Sequence, residues 1–291
     1  LGGSLRLPAA FCGVVGIRPT PGRVPAMPVP VADDPWQVDG PITRTALDTA
    51  VMLDALSGFS PRCPISVSAP PVLESARSFD LRGRRLAYCP DVARIGVDPE
   101  IVRVCEEALS ELAAAGAVIE PVDLDLSPGR QAFLAMRGHW MLGQHFERLD
   151  DLDGFGENVQ NNVRLGLEVT ARDLAAADRT RTDNWRRLDQ ILRRCDAMLT
   201  PCVPVEPFPA EQNYPTEIAG QPMQTYIDWL APTFLFSMLQ VPAASVPAGL
   251  TASGLPVGLQ IVTPRFQEGL ALGIANVVER IRPIGRPNLA A

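Results

Sequence analysis

The residues best suited to chemistry stand together at the start of the chain: Gly2-Gly3-Ser4. Two glycines let backbone N–H groups approach a ligand with no Cβ in the way. A serine directly after them sets its hydroxyl beside those donors. A hydroxyl next to converging N–H groups is a nucleophile beside an oxyanion hole, the arrangement that acyl transfer needs. The tripeptide by itself also fits a loop that merely turns, since motifs this short recur by chance. A serine hydroxyl is a weak nucleophile at neutral pH, so the motif also calls for a base. Lys cannot be that base inside this chain, because all 26 Lys+Arg residues are Arg. The same count excludes a Schiff-base lysine and a P-loop.

Other reactive side chains point to bland roles. His139 and His145 are six residues apart and do not share a helix face as a metal pair would, so packing or surface roles are expected. A nitrilase-type role for Cys12 would again need a Lys, and Cys12 reads as a small buried apolar residue after Phe11. Asp33-Asp34 and Asp150-Asp151-x-Asp153 lack the Gly-centred spacing of a calcium loop and read as solvated charges. Arg179 to Arg194, with Asp183 and Asp189, reads as a solvated helix face. No metal or organic cofactor is implied. The aromatic stretch with Tyr226, Trp229, Phe234 and Phe236 has the spacing of a helix packed into a core.

The elements that must position Ser4 follow from periodicity and punctuation. Leu7 to Gly13 predicts a short helix, with Pro8 in its first turn and Gly13 at its stop. A strand is expected over Val14 to Arg18, then a Pro- and Gly-rich loop from Pro19 to Pro35. Thr45 and Asp48 resemble a capping box for a helix through Leu56. Strands are expected at Arg85–Cys89, Val118–Leu124, Met198-Leu199, Val241–Val246 and Val257–Val262, the last two joined at Ser253-Gly254. Helices are expected from Asp98-Pro99 to Gly116, over Arg130–Leu149, from Thr170 to about Arg194, and over about Phe266–Arg280. Strands alternating with helices predict an α/β fold with a mixed central β-sheet flanked by helices.

Composition bounds the rest. The 291 residues carry a formal net charge of −7, which argues against a nucleic-acid-binding face. No apolar run is long enough to span a bilayer. The 29 prolines are spread along the chain rather than gathered in a linker, and no internal repeat or domain boundary stands out. Cys12, Cys63, Cys89, Cys105, Cys195 and Cys202 form no C-x-x-C pair and read as reduced thiols of a cytoplasmic protein. The first residues lack the charged and apolar regions of a signal peptide, and the chain opens without Met inside a Gly-rich loop.

The surroundings of Ser4 carry a family likeness. Gly2-Gly3-Ser4-x-Arg6-x-Pro8-Ala9-Ala10-Phe11-Cys12-Gly13, followed by Gly16, Arg18-Pro19-Thr20 and Gly22-Arg23, closely resembles the signature of the amidase signature family. Asp39-Gly40-Pro41-Ile42-Thr43-Arg44-Thr45 resembles its Gly-Pro-Met-x-Arg-Thr segment. Leu199-Thr200-Pro201 with Pro207-Phe208-Pro209 resembles a later segment. Pro242-Ala243-Ala244-Ser245-Val246-Pro247-Ala248-Gly249, leading to Gly254-Leu255-Pro256-Val257-Gly258-Leu259-Gln260, resembles its C-terminal strand pair.

The resemblance implies a serine hydrolase with a Ser–cis-Ser–Lys triad and a small-molecule amide as substrate. It makes Ser4 the nucleophile, gives the oxyanion-hole amides to Leu1, Gly2 and Gly3, and makes Arg6 a support of the loop. It also implies that the chain is the C-terminal portion of a single amidase signature domain over residues 1–291, with the cis-Ser and Lys in an N-terminal segment that this chain lacks. On that reading the isolated chain is inactive, and its partner is that segment; a homodimer is also open. The rivals are a non-catalytic truncated remnant and an amidotransferase A-type subunit. Leu7 stands where that A-type subunit has Gln, which favours the stand-alone amidase. In the family the segment before the Pro-Ala-x-x-x-Pro strand helps line the acyl pocket, so Trp229, Phe234 and Ser237 are expected there. Tyr226 to Gln240 holds Asp228 and no basic residue, so neutral apolar amides are the expected substrates.

Overall fold

The computed structural model describes residues 1–285. Its helices are α1 (Arg6–Phe11), α2 (Ala46–Leu56), α3 (Leu73–Arg77), α4 (Pro99–Ala114), α5 (Gly129–Gln144), α6 (Glu157–Glu168), α7 (Ala171–Leu192), α8 (Ala231–Met238) and α9 (Glu268–Ile281). Its strands are β1 (Val15–Arg18), β2 (Ile42–Thr43), β3 (Arg85–Tyr88), β4 (Val118–Pro121), β5 (Ala197–Pro201), β6 (Glu217–Ile218), β7 (Gln221–Pro222), β8 (Ala243–Leu250) and β9 (Pro256–Val262). Seven strands form one sheet in the order β2-β1-β8-β9-β5-β3-β4, and β6 and β7 pair separately. β3 runs parallel to β4 and β5, while β1, β2, β8 and β9 make antiparallel ladders. The fold is therefore α/β with a mixed sheet flanked by helices.

Local chemistry explains the helix starts. Thr45 accepts the Asp48 N–H ahead of α2, Asp98 accepts the Glu100 N–H ahead of Pro99 in α4, and Thr170 and Asp173 form a reciprocal box at α7. Two boundaries move inward. β4 stops at Pro121, opposite Tyr88 where its partner strand β3 itself ends, with the Val122 N–H making the last bond to the Tyr88 carbonyl at 2.9 Å, and α5 ends at Gln144 before a separate short turn at Phe146–Arg148. α6 escapes the sequence reading because only Asn162, Val163 and Gly166 of its residues are buried, too few for an apolar period.

The central strands divide two cores by their period of two. Val246, Val257, Leu259 and Ile261 face one core together with Ile101, Val104 and Leu112 of α4 and Leu272 and Ile274 of α9. The second core holds Phe133 of α5, Leu188 of α7 and Phe234 and Leu235 of α8. α1 lies against β8 and β9 on this second side. A Cβ at Gly258 would collide with Ala10, so the missing side chain lets the short helix sit directly on the sheet. All six cysteines are free thiols. Cys12 departs from expectation: it is exposed, because it caps the end of α1 where the chain turns at Gly13 (φ 63°). No helix among the described residues is long and apolar enough to cross a membrane.

Candidate active site

Ser4 sits at the turn into α1, with its side chain exposed to a cavity of about 560 Å³. Leu1, Gly2, Gly3 and Leu7 line the same cavity, and Asp39 and Gly40 join it from the loop before β2. Gly3 has φ 144°, a conformation that disfavours any side chain, and a Cβ there would strike Thr233 Oγ1. The motif placed a glycine at this point; the structure supplies the reason. The Gly3 carbonyl accepts the Leu7 N–H at 2.9 Å, which starts the first turn. Among the described residues, the N–H groups of Gly2, Gly3 and Ser4 donate to no protein acceptor. The Ser4 hydroxyl likewise has no protein partner among them.

A buried polar relay holds this loop. Thr233 Oγ1 of α8 lies 2.6 Å from the Gly2 carbonyl and 2.8 Å from the Leu230 carbonyl, so its single proton serves one at a time. One turn further along α8, Ser237 Oγ lies 3.3 Å from the Thr233 carbonyl. Ser237 Oγ also accepts from Arg6 Nη2 at 2.6 Å. Arg6 Nη1 donates to Gln260 Oε1 of β9 at 2.6 Å, and Gln260 Nε2 donates to the Pro232 carbonyl at 2.8 Å. Arg6 is thus fully enclosed without a carboxylate partner, and burial pulls its guanidinium down to about 10. Gln260 and Thr233 are members that sequence reasoning missed. Neither carries charge, and they lie more than 220 residues from the loop they brace.

The three residues expected in the pocket take other places. Trp229 is buried behind the wall, stacked on Phe11 with centroids 5.7 Å apart and meeting Phe208 edge-on at 5.2 Å. Phe234 is buried in a stack with Phe133, centroids 3.9 Å apart. Ser237 belongs to the relay around Arg6. Phe234 and Ser237 lie on α8, which is enclosed on every side, and Trp229 lies in the turn before it, where Ile227 and Leu230 line the cavity and Trp229 turns into the core. The wall is formed instead by Tyr226, Ile227 and Leu230 just before α8 and by Arg137 and Trp140 of α5. A cation therefore stands in a wall expected to be apolar, because that expectation considered only the segment 226–240.

The remaining polar residues sort by burial. Asp34 is not a solvated charge: it is buried, accepts from Trp140 Nε1 at 2.6 Å, and takes the Trp36 N–H at 2.8 Å. It thereby fixes the orientation of Trp140 in the wall. Asp33, Asp150, Asp151 and Asp153 are exposed. His139 lines a different cavity, beside Trp36, and His145 packs on Phe155 at 4.7 Å, so neither is a base for Ser4. No cluster of three or more His, Cys, Asp or Glu among the described residues could hold a metal.

Comparison with known proteins adds a family. The sequence model described as Amidase matches residues 1–272. An acylamidase of Rhodococcus erythropolis is 34% identical, over 97% of this chain and 60% of its own length. The A-type subunit of a glutamyl-tRNA(Gln) amidotransferase from Rhodospirillum rubrum is 31% identical, over 96% of this chain and 60% of its own. The crystal structure of a bacterial aryl acylamidase of the amidase signature family superposes with a TM-score of 0.88 at 26% identity, covering 99% of this chain and 64% of that one. The chain thus spans about 60% of the length of the curated relatives it matches.

Proposed function

Because the chain belongs to the amidase family, we propose that it carries the nucleophile of an enzyme hydrolysing a carboxamide to a carboxylic acid and ammonia or an amine. Ser4 Oγ attacks the amide carbon and loses its proton to a base. The oxyanion that forms accepts hydrogen bonds from the N–H groups of the Leu1–Gly3 loop. Collapse breaks the C–N bond, the amine leaves with a proton, and water then hydrolyses the ester on Ser4. The observation that carries this reading is the combination at Ser4: a hydroxyl and neighbouring N–H groups, all without protein partners among the described residues, on a loop braced from behind and open to a cavity.

The base is not a lysine of these 291 residues, since they contain none. On this proposal the base is the family's Lys, acting through a cis-Ser, and the chain is the C-terminal portion of one amidase signature domain. The 291-residue chain by itself then turns over no amide, because general-base assistance alone contributes about 10²–10⁴-fold.

Labelling with a fluorophosphonate probe tests the nucleophile in the full-length protein. The wild type is expected to react and the Ser4→Ala variant not to, with amide turnover abolished and substrate binding nearly intact. An unchanged kcat in Ser4→Ala overturns the assignment.

A further inference from the structure

The cavity that opens on Ser4 contains one cationic side chain among its described lining residues, Arg137. No carboxylate lies within ion-pairing distance of it among the described residues. Its contacts are neutral: Nε donates to Asn162 Oδ1 at 2.9 Å, and Nη2 donates to the Tyr226 hydroxyl at 3.1 Å. Asn162, almost fully buried on α6, uses its other end as well, donating from Nδ2 to the Tyr226 hydroxyl at 2.7 Å and to the Asn158 carbonyl at 2.5 Å. One amide therefore clamps both cavity residues. The clamp depends on a close helix crossing: a Cβ on Gly138, the neighbour of Arg137, would come within 2.9 Å of Gly166 Cα, one turn from Asn162. Two glycines let α5 and α6 touch at backbone distance, and Arg137 and Asn162 meet beside that crossing.

The hydrogen-bond count leaves donors over. The Tyr226 oxygen already accepts twice, so its own proton is free to donate. Arg137 Nη1 makes no protein hydrogen bond among the described residues, and Nη2 keeps a second N–H. A fixed guanidinium edge and a phenol proton thus face a cavity whose neighbouring walls are Leu7, Val38, Ile227 and Leu230. The complement of several donors and one positive charge is a group that only accepts and carries a negative charge. A carboxylate fits that description, and a guanidinium edge matches its two oxygens. Asp39, the acidic residue in the same lining, is exposed and forms no ion pair with Arg137.

We propose that Arg137 and Tyr226 form a carboxylate-recognition site in the candidate active-site cavity, so that the preferred substrate is an amide bearing a carboxylate on an otherwise apolar body. This rests on the amidase reading of Ser4 and replaces the expectation of neutral amides. The carboxylate can stand on the acyl side or on the amine side of the scissile bond, and one pair of substrates for each side distinguishes them.

The experiment uses the full-length protein. For the acyl side, kcat/KM for N-phenylsuccinamate is compared with that for N-phenylbutanamide. For the amine side, 4-acetamidobenzoate is compared with 4-methylacetanilide. The anionic member of at least one pair is expected to be preferred by about tenfold or more, and Arg137→Met should lower that preference by about 30-fold. Arg137→Lys should restore part of it, and Tyr226→Phe should lower it by about 3–10-fold. Preference for the neutral member of both pairs, or an equal loss on both members in Arg137→Met, overturns the proposal. Calorimetry with N-phenylsuccinamate and 4-acetamidobenzoate on Ser4→Ala, with and without Arg137→Met, gives a reading independent of turnover. Binding weakened by about 30-fold in the double variant supports the site even if Ser4 is not the nucleophile. Binding of neither anion, or equal binding to both proteins, sinks it. Failure of the wild type to label with the fluorophosphonate, with anion binding retained, would instead fault the amidase reading alone.

Discussion

Along β9 successive residues face opposite environments. Val257, Leu259 and Ile261 enter a core shared with α4 and α9 that is almost wholly hydrocarbon. Gly258 and Gln260 turn the other way, towards α1, Arg6 and the loop that carries Ser4. Both faces are fully buried, so burial does not distinguish them. What differs is how each is held. The apolar face is held by packing, which tolerates rearrangement and loses stability in proportion to the hydrocarbon removed. The polar face is held by hydrogen bonds to a buried charge, which must be met at fixed angles or not at all. On the role proposed for Ser4, its loop needs the second kind of support, because its backbone donors have to stay aimed at one point. The polar face also tolerates incompleteness: Arg6 Nε, Thr200 Oγ1 and Ser245 Oγ are buried there without protein partners among the described residues.

The largest test of this contrast is a pair of neighbouring substitutions in β9. Leu259→Ala and Gln260→Leu should each cost about 2–5 kcal/mol of stability, the first by leaving a cavity and the second by stranding the Arg6 guanidinium. Their effects on function should separate. Turnover per folded molecule of the full-length protein should hold in Leu259→Ala and fall at least about tenfold in Gln260→Leu, where Arg6 loses its acceptor on β9 and the Pro232 carbonyl at the start of α8 loses its donor. Denaturant melts beside kcat measurements read both quantities, and equal loss of turnover in the two variants would erase the distinction between the faces.

Gly258→Ala is a smaller perturbation of the same strand. The added methyl meets Ala10 of α1, so about 1–3 kcal/mol of stability should go, and α1 must shift with Ser4 at its start. A slower rate of fluorophosphonate labelling by the folded protein is expected beside that loss in the melt; labelling at the wild-type rate would show that α1 absorbs the methyl without moving Ser4.

A titrating carboxyl on α9, beside the apolar side, should give the smallest effect. Glu279 of α9 accepts the Ala46 N–H at 2.7 Å, and burial raises its carboxyl from 4.5 to about 7, against the opposing pull of that hydrogen bond. A carboxyl with a folded-state pKa above its unfolded value holds its proton longer when folded. Its contribution to stability is therefore present below about 4.5 and lost as pH rises to about 7. Melting temperature should decline across that window in the wild type by more than in Glu279→Gln. Parallel curves would mean the carboxyl is already ionised in the fold.

Much of this fold was legible without coordinates. Thr45 with Asp48 announced α2 and Asp98-Pro99 announced α4, a helix was expected from Thr170 where α7 follows, and the strands β1, β3, β8 and β9 overlap the segments expected for them. The elements missed were those that lack a local signal: α3 with one buried residue and α6 with three, and the short strands β2, β6 and β7, whose existence depends on a partner strand. At the site the sequence pointed to Ser4, Gly2, Gly3 and Arg6, since an unusual backbone and a reactive side chain both leave a mark on residue type. It did not point to Gln260, Arg137 or Asn162, and it put Tyr226 and Thr233 in the pocket segment without giving either a role of its own.

Their role is a matter of tertiary proximity. An Arg, an Asn and a Tyr on separate segments look like any surface residues until α5 and α6 cross at Gly138 and Gly166 and bring them to one cavity. The sequence by itself determined which loop is built for close approach by its backbone, that no lysine is present, and that strands and helices alternate. Only the tertiary structure decided what braces that loop and which charge faces the cavity. Local conformation follows from each residue's own backbone and neighbours, whereas a pocket wall is assembled from residues far apart in the chain, as Leu1, Arg137 and Leu230 are.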